Sequence, residues 1–476
     1  MKSVKSETRH IFYRNLNRAY PVISRGEGIY LYTRDGREII DGASGAAVVC
    51  LGHNNERLIE AIRRQAEKVA FVHLSAFSSE PVLRFADEIT SFAPRPLKRV
   101  YFTSGGSEAV EGAVKLARQY HVERGNPEKS KVISRFISYH GSTIGALSLS
   151  GHPGRRSKYA PLLPSSPKIP PAYCYRCPFH EHKRNTGPPD CDFQCAYELE
   201  RTILIEGPDL VSAFIMEPIL GASAPAVVPP AGYLRRIRNI CNKYDVLLIF
   251  DEVMTGFGRT GRFFAFQHFQ AIPDIVTVSK GISSGYSPLG AMIISDDIYE
   301  VIKRSPSGSF IHGHTFAGNP LSAAVGLEVI RIIKEENLVG RVEELGNYLQ
   351  GKLACLRKKH PVVGDVRCKG LLAGVELVAN RRTRKPFPQQ FAIGHRLGSI
   401  CLEKGLYIYP GGGSYNGTDG DHVLIAPPYV IGESQIDDMV EILSASLGDL
   451  ESELVSSGML TPANGNGTIP ESAKTA

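Results

Sequence analysis

The stretch Asp274-Ile-Val-Thr-Val-Ser-Lys280-Gly-Ile decides which fold this chain adopts. Its β-branched apolar run predicts a buried strand, and a lysine and a glycine follow directly after that strand. A lysine held at the end of a buried strand can lose its proton, and a neutral amine can form a Schiff base with a carbonyl compound. The alternative is an ordinary surface lysine whose charge stays in water.

The same pattern of a short apolar strand recurs along the chain. Further strand candidates begin at Arg99, Lys131, Val211 and Val246. Near-continuous apolar strands that alternate with helices are typical of a mostly parallel sheet covered by helices on both faces. Ligands of such sheets bind beyond the carboxyl ends of the strands. The sequence therefore predicts an α/β fold with its site at that edge.

A chain of 476 residues can bury one large core and a smaller one, so we expect more than one domain. A predicted β-hairpin at 28–41, with its turn at Asp35-Gly36, belongs to the smaller domain. The predicted boundaries are 1–55 for the N-terminal segment of the small domain, 56–325 for the large domain with a cysteine-containing insertion at about 165–197, 326–454 for the C-terminal part of the small domain, and 455–476 for a disordered tail.

Composition and charge are ordinary for a globular enzyme, with 42% hydrophobic and 22% charged residues. The net charge of +7 is scattered, without the Lys/Arg block of a nucleic-acid-binding protein. No stretch is apolar and long enough to cross a membrane, and the N-terminus lacks the apolar segment of a secretory signal. We therefore expect a cytoplasmic protein that binds neither nucleic acid nor membranes.

Four of the nine cysteines border a polar, proline-rich loop in two pairs. The first pair is Cys174 and Cys177, and the second is Cys191 and Cys195. Such pairs could bind Zn²⁺ tetrahedrally, form a local disulfide or remain thiols, and these alternatives stay open. The spacing of the second pair is loose and no partner motif supports zinc, and we expect no metal in the site itself.

Two motifs ahead of Lys280 follow predicted strands. In Phe102-Thr-Ser-Gly-Gly106-Ser107 a strand runs into a glycine turn and a helix, whose free N–H groups and Ser107 hydroxyl could bind an anion. Tyr139, in Tyr139-His140-Gly141, could lie flat against a planar ring. Each motif also has a plain structural explanation, which is a helix cap at Ser107 and a core position at Tyr139.

A third motif is the acidic pair Asp251-Glu252, which follows the apolar run Leu247-Leu-Ile-Phe. A Walker B element holding Mg²⁺ would place acids there too, but the sequence has no phosphate-binding loop to accompany it. A carboxylate at Asp251 that faces a pyridine nitrogen would keep that nitrogen protonated and make the ring an electron sink. Beyond Lys280, Thr315 in a glycine-rich turn offers another hydroxyl for a phosphate.

Taken in this order, the motifs resemble the class III (omega) aminotransferases, which are pyridoxal-phosphate (PLP) enzymes of fold type I. The resemblance covers residues from about 10 to 450 and is most specific at 251–261, at 279–281 and around His314-Thr-Phe-Ala-Gly-Asn-Pro. It implies a large domain with a mostly parallel sheet flanked by helices, and a small α/β domain built from N- and C-terminal segments. It also implies a homodimer with twofold symmetry.

Each site residue takes a role from this resemblance. Lys280 would hold the PLP as a Schiff base and move the proton, and Asp251 would pair with the pyridinium nitrogen. Val253 and Tyr139 would pack on opposite faces of the ring. The other assigned residues are Gly106 and Ser107 at the phosphate, Thr315 at the phosphate of the neighbouring subunit, and Glu217 near the ring in a supporting role.

The implied reaction moves an amino group from a primary amine or ω-amino acid to a 2-oxo acid, either pyruvate or 2-oxoglutarate. It would follow a ping-pong cycle through a pyridoxamine form of the cofactor. PLP-dependent lyases, epimerases and aminomutases share the scaffold and these residues, so they are the alternative. A third interpretation, a protein without catalytic activity, conflicts with the intact Lys280, Asp251 and glycine turn.

Three departures from the family pattern bear on the substrate. Ala222 stands where some members have a glutamate that switches a substrate-binding arginine, which argues against ornithine and 4-aminobutyrate enzymes of that type. Residues 407–418 contain no arginine, although amine transaminases of the family often place one shortly before the strand that follows Gly420. Either a carboxylate is recognised elsewhere, or the amino donor has no carboxylate near the reacting carbon. The small loop Ala46-Ala-Val-Val49 stands where relatives often have a bulky aromatic residue, which predicts a roomier pocket.

Overall fold

The computed structural model describes residues 10–179 and 192–460. Its strands are β1 (Ile23–Glu27), β2 (Tyr30–Thr33), β3 (Glu38–Asp41), β4 (Leu97–Thr103), β5 (Lys131–Arg135), β6 (Lys168–Ile169), β7 (Val211–Met216), β8 (Leu247–Asp251), β9 (Ile275–Val278), β10 (Gly290–Ser295), β11 (Val363–Lys369), β12 (Leu372–Leu377), β13 (Leu406–Tyr407), β14 (Tyr409–Gly412) and β15 (Asp421–Ile425). Its α-helices are α1 (Ser44–Ala47), α2 (Glu56–Lys68), α3 (Glu80–Phe92), α4 (Gly106–Glu123), α5 (Ile144–Leu149), α6 (Pro153–Arg156), α7 (Gln194–Glu206), α8 (Tyr233–Lys243), α9 (Asp296–Arg304), α10 (Pro320–Glu335), α11 (Leu338–Lys359), α12 (Ile393–Glu403) and α13 (Glu433–Ser456). Within these two ranges, no helix has the length and apolar character needed to span a membrane.

Seven strands form the central sheet, in the order β4-β10-β9-β8-β7-β5-β6. The five strands from β9 to β6 in that order are parallel, while β10 runs antiparallel to both of its neighbours. The predicted α/β class with a mostly parallel sheet is therefore confirmed. Because β8 and β9 are adjacent and parallel, their carboxyl ends bring Asp251 and the turn that contains Lys280 to the same edge.

The central sheet is buried on both faces, which explains its continuous apolar strands. Along β8, Leu247 and Ile249 pack in a core shared with α4 and α9. Leu248 and Phe250 pack in the core on the other face, which includes α8. Since successive side chains of a strand point to opposite faces, one uninterrupted apolar run fills both cores.

Two four-stranded sheets lie outside the central one. The first has the order β1-β2-β3-β13, and Leu406 of β13 pairs in parallel with Ile40 of β3. Its β2 and β3 form the predicted hairpin, in which Gly36 has a φ of 86° that glycine adopts readily. The second, β11-β12-β15-β14, packs with α11 and α12. A small α/β part containing strands from both ends of the chain agrees with the predicted fold class.

The predicted domain boundaries stay predictions, and two of them lie within helices of the structure. The boundary at 325 lies inside α10, which runs without interruption from Pro320 to Glu335. The boundary at 454 lies two residues before α13 ends at Ser456. Residues 461–476 of the predicted tail lie outside the described residues.

The insertion that contains the cysteine pairs is attached to β12. Arg176 donates from Nε to Oε1 of the buried Glu376 at 2.7 Å. Cys174 lies in the 3-10 turn Cys174–Arg176, whereas Cys191 lies outside the described residues. In the part of the chain that the structure describes, no group of three or more His, Cys, Asp or Glu side chains could hold a metal ion. The zinc, disulfide and thiol alternatives for the four cysteines therefore stay predictions.

Candidate active site

Lys280 lies just beyond β9, in the single 3-10 turn Lys280–Ile282. Its φ angle is 48°, a left-handed conformation that non-glycine residues adopt mainly where the surrounding structure imposes it. The preceding Ser279 donates from its hydroxyl to the carbonyl of Leu289 at 2.8 Å, which fixes the entry to the turn. Burial lowers the pKa of the Lys280 amine, and the Asp251 carboxylate only partly opposes this effect. The amine is thereby suited to act as a nucleophile.

Asp251 ends the adjacent strand β8, opposite Thr277 of β9. The carboxylate is held by two contacts, because Oδ2 lies 2.7 Å from Nδ1 of His140 and Oδ1 accepts from the N–H of Val253 at 3.0 Å. Both Asp251 and His140 are buried. A buried carboxylate fixed in this way can present its charge to a ligand in one orientation.

A second acid continues this row of buried charges. Glu217 Oε2 lies 3.8 Å from Nε2 of His140 and accepts from Arg135 at 2.7 Å. Burial alone would raise the pKa of Glu217, but His140 and Arg135 outweigh it, so the pKa is lowered. Asp251, His140, Glu217 and Arg135 together form what we name the buried charge row.

The start of α4 lies against the loop that follows β8. A side chain at Gly106 would come within 2.9 Å of Val253 Cγ1, so glycine permits this close approach. No side chain caps α4, and Ser107 Oγ accepts from the N–H of Ser142 at 3.1 Å. The N–H groups of the first turn of α4 are therefore open to an anion.

Tyr139 connects the buried charge row to the start of α4. Its N–H donates to Oε1 of Glu217 at 3.1 Å, and its hydroxyl lies 2.8 Å from Oγ of Ser142. The guanidinium of Arg155 lies 4.5 Å from the centre of its ring. The side chain is only half-buried, so it can pack against a planar ligand.

Glu252 serves the core, although it is adjacent to Asp251 in sequence. Its carboxylate accepts from the N–H groups of Ala265 and Phe266 at 2.9 and 2.8 Å, and from the hydroxyl of Thr255 at 2.6 Å. Burial raises the pKa of Glu252 to about 7. The acidic pair thus divides into a site residue and a residue that anchors the turn Ala265–His268.

Thr315 does not join the other predicted residues within this chain. It is exposed in the turn before α10, and His314 beside it lies 4.0 Å from Glu108 of α4. Among the described residues, no hydrogen bond connects Thr315 to the site. Its predicted role in the site of a neighbouring subunit stays a prediction.

The structure brings the other seven predicted residues to the carboxyl edge of the central sheet. These residues are Gly106, Ser107, Tyr139, Glu217, Asp251, Val253 and Lys280. Sequence reasoning assigned no role to His140, Arg135 or Arg155. The available signal for Arg135 was a charge at the end of an apolar strand, and for His140 its place directly after Tyr139.

The donor set fits a phosphorylated pyridine aldehyde. An uncapped helix start with the Ser107 hydroxyl suits a phosphate, and the buried Asp251 suits a protonated ring nitrogen. The lowered pKa of Lys280 suits attachment to an aldehyde. The phosphate, the ring nitrogen and the aldehyde thus each have a matching group in the site, and the fit requires no further charged side chain.

Comparison with known proteins gives the family. The model of the family "Aminotransferase class-III" matches residues 12–447. A gamma aminobutyrate transaminase 2 of Solanum lycopersicum is 37% identical over 90% of this chain and 92% of its own length. A putrescine–pyruvate aminotransferase of Pseudomonas aeruginosa is 36% identical over 90% of this chain and 91% of its own.

A solved structure shows the same fold. The omega transaminase of Pseudomonas jessenii in complex with PMP has a TM-score of 0.86 at 34% identity, covering 94% of this chain and 98% of that one. The predicted resemblance is confirmed over nearly the whole length. The chain belongs to the class III aminotransferases, a family of PLP-dependent enzymes of fold type I.

Proposed function

We propose that this aminotransferase transfers the amino group of a primary amine or ω-amino acid to a 2-oxo acid, with PLP attached to Lys280 as a Schiff base. The observation that carries the proposal is the position of Lys280. Its amine has a lowered pKa and lies near Asp251, at the carboxyl ends of two adjacent parallel strands. Bound PLP supplies an electron sink for the carbon that loses its proton.

The buried charge row would serve the ring nitrogen. Asp251 would hold that nitrogen protonated, and His140 would keep the carboxylate oriented. Glu217, whose pKa is lowered, would place a second acid 3.8 Å from the other ring nitrogen of His140. Arg135 balances the second acid, so that the row carries no isolated buried charge.

The remaining residues would position the group and move the proton. Gly106 and Ser107 would bind the phosphate with N–H and hydroxyl donors, and Val253 and Tyr139 would pack on the two faces of the ring. Once released from the cofactor, the neutral Lys280 amine would take the proton from the substrate Cα. It would then deliver that proton to C4′ of the cofactor.

We propose that the donor has a terminal primary amine on a short chain, and that pyruvate or 2-oxoglutarate accepts the amino group in a separate half-reaction. The two curated relatives support the donor class, since their names specify gamma aminobutyrate and putrescine. The second name also specifies pyruvate. Family membership favours transamination over the lyase, epimerase or aminomutase alternative.

We also propose a cytoplasmic homodimer in which Thr315 reaches the phosphate of the neighbouring site. Large apolar side chains are exposed around Thr315, with Ile311 at 71% and Phe316 at 60%. Phe316 makes an edge contact with Phe71, which is also exposed. Such a patch is typical of a protein interface.

Spectroscopy of the purified enzyme tests this function. The PLP-loaded protein should absorb in the visible range, and a donor amine added without acceptor should bleach that band. Pyruvate or 2-oxoglutarate should then restore it. Ammonia release with return of the band in the absence of any 2-oxo acid would identify a lyase instead.

A further inference from the structure

Arg155 is a cation at the site that the proposed chemistry does not use. Its guanidinium lies over the ring of Tyr139, with 4.5 Å between Cζ and the ring centre. Its charge is also among those that act on the Lys280 amine. Arg155 therefore lies on the Tyr139 side of the site, close enough for its charge to act on the Lys280 amine.

Among the residues that the structure describes, no acid pairs with this cation. In residues 10–179 and 192–460, no carboxylate lies within 4.0 Å of the Arg155 guanidinium. The acids nearest Lys280 have other partners, because Asp251 contacts His140 and Glu217 contacts Arg135. Arg155 is half-buried, so its charge is less screened than that of a fully exposed arginine.

The segment that carries Arg155 is held against the glycine-rich strand β14 and the loop after it. Nε2 of His152 lies 2.8 Å from the carbonyl of Gly412. A side chain at Gly413 would come within 2.5 Å of His152, and one at Gly417 within 2.5 Å of Pro153. Glycines at these positions thus let His152 and the start of α6 lie close to this loop.

That loop lacks a basic side chain of its own. Residues 407–418 contain neither arginine nor lysine, so they offer no charge for a carboxylate. The α6 segment, whose His152 and Pro153 lie against Gly412, Gly413 and Gly417, carries the Arg155 guanidinium. A guanidinium can bind both oxygens of a carboxylate through parallel N–H donors.

We propose that Arg155 binds the carboxylate of the substrate and makes the enzyme prefer ω-amino acids over amines of the same chain length. The inference rests on the proposed function. Because an aromatic ring has two faces, Tyr139 can lie between the cofactor and Arg155. Family membership alone does not decide this preference, since one relative is named for gamma aminobutyrate and another for putrescine.

The test is a comparison of matched donors in the first half-reaction. PLP-loaded enzyme without acceptor is mixed with β-alanine, 4-aminobutyrate or 5-aminopentanoate, and separately with propylamine, butylamine or pentylamine. Bleaching rates at low donor concentration give kcat/KM for that half-reaction. The variants are Arg155→Gln, Arg155→Lys and, as a control with the same change of charge, Arg156→Gln.

We expect the Arg155→Gln variant to lose about 10- to 100-fold in kcat/KM for the amino acids, as for a lost charged hydrogen bond, and little for the amines. Arg155→Lys should keep part of the preference, and Arg156→Gln should keep it. Equal losses for both donor classes, or a fall in PLP affinity that accounts for the change, would show that Arg155 acts on Tyr139 or the cofactor. If Arg156→Gln had an equal effect, the preference would come from the general positive potential near the site, and the specific role of Arg155 would be wrong.

The two proposals fail in different ways. If no donor of either class bleaches the wild-type enzyme, transamination of these substrates is wrong and the inference falls with it. If the wild-type enzyme reacts with both classes and Arg155→Gln leaves their ratio unchanged, only the inference is wrong.

Discussion

The imidazole of His140 lies 2.7 Å from the carboxylate of Asp251, and both side chains are buried. The two residues are 111 positions apart: Asp251 ends β8, and His140 lies in the loop after β5. Through this contact the acid proposed to face the ring nitrogen becomes one end of a charge row that continues to Glu217 and Arg135. The electrostatics of the site therefore depend on residues that would never touch the substrate.

Replacement of His140 tests whether the row orients the Asp251 carboxylate. We expect His140→Ala to lower kcat/KM about 10- to 1000-fold, because Asp251 loses the donor that orients it. His140→Asn retains an N–H donor and should lose less. The exposed His395 provides the control, since His395→Ala should leave kcat/KM unchanged. Steady-state kinetics decides, and a His140→Ala enzyme as active as wild type would contradict the role.

Replacement of Arg135 tests the cost of an unbalanced buried acid. Arg135→Met leaves Glu217 without its guanidinium, and loss of one partner of a buried pair costs about 3–5 kcal/mol. The thermal midpoint should fall by several degrees. Arg201→Met removes the exposed pair with Glu198, which is worth at most about 1 kcal/mol. Similar thermal midpoints for the two variants would refute the structural role of Arg135.

Glu252 makes stability depend on pH. Its folded-state pKa of about 7 lies above the ordinary 4.5, so the folded state binds the proton more tightly than the unfolded chain. The protonated Glu252 carboxyl therefore stabilises the fold fully below a pH of 4.5. Roughly 3 kcal/mol of this stabilisation is lost as the pH rises to about 7. The stability of wild type relative to Glu252→Gln should therefore decrease between about pH 5 and about pH 8.

Thermal unfolding of both proteins across this pH range provides the measurement. Glu300→Gln is the control, since Glu300 is partly exposed on α9 and its replacement should give a difference that changes little with pH. A wild-type advantage over Glu252→Gln that grows with pH would mean that the carboxylate is ionised in the fold.

Hybrid dimers test whether Thr315 acts across the interface. A dimer of one Lys280→Ala chain and one Thr315→Ala chain has one complete site if Thr315 serves its neighbour. Its activity should then be about half that of the wild-type dimer, in the limit of independent sites. If Thr315 serves its own chain, one site of the hybrid lacks Lys280 and the other lacks Thr315. The activity of the hybrid should then not exceed that of the Thr315→Ala homodimer. Differently tagged chains permit purification of the hybrid.

Much of the fold and the site follows from local sequence. The apolar runs of β7, β8 and β9 predict buried parallel strands because both faces of the sheet are covered. A parallel sheet brings its carboxyl ends to one edge, so Ser107, Asp251 and Lys280 could be predicted to converge. Glycine residues close to these three positions also indicated turns at the ends of the strands.

The partners of these residues could not be predicted, because they depend on packing between distant segments. The contact of His140 with Asp251 requires β5, β7 and β8 to lie in that order, which no local pattern reveals. Arg155 lies beside a segment in which His152 contacts Gly412, 260 positions away. Glu252 and Asp251 look equivalent in sequence, but successive side chains point to opposite sides of the chain, so one contacts the core and the other the site.

Attachment of PLP to Lys280 is the central claim, and reductive trapping tests it most directly. Borohydride fixes a PLP–lysine Schiff base as a stable secondary amine, which peptide mass spectrometry then locates. We predict that the phosphopyridoxyl group is found on Lys280 and on no other lysine, and that Lys280→Ala carries none. A group located on another lysine, or trapped equally in Lys280→Ala, would contradict the account.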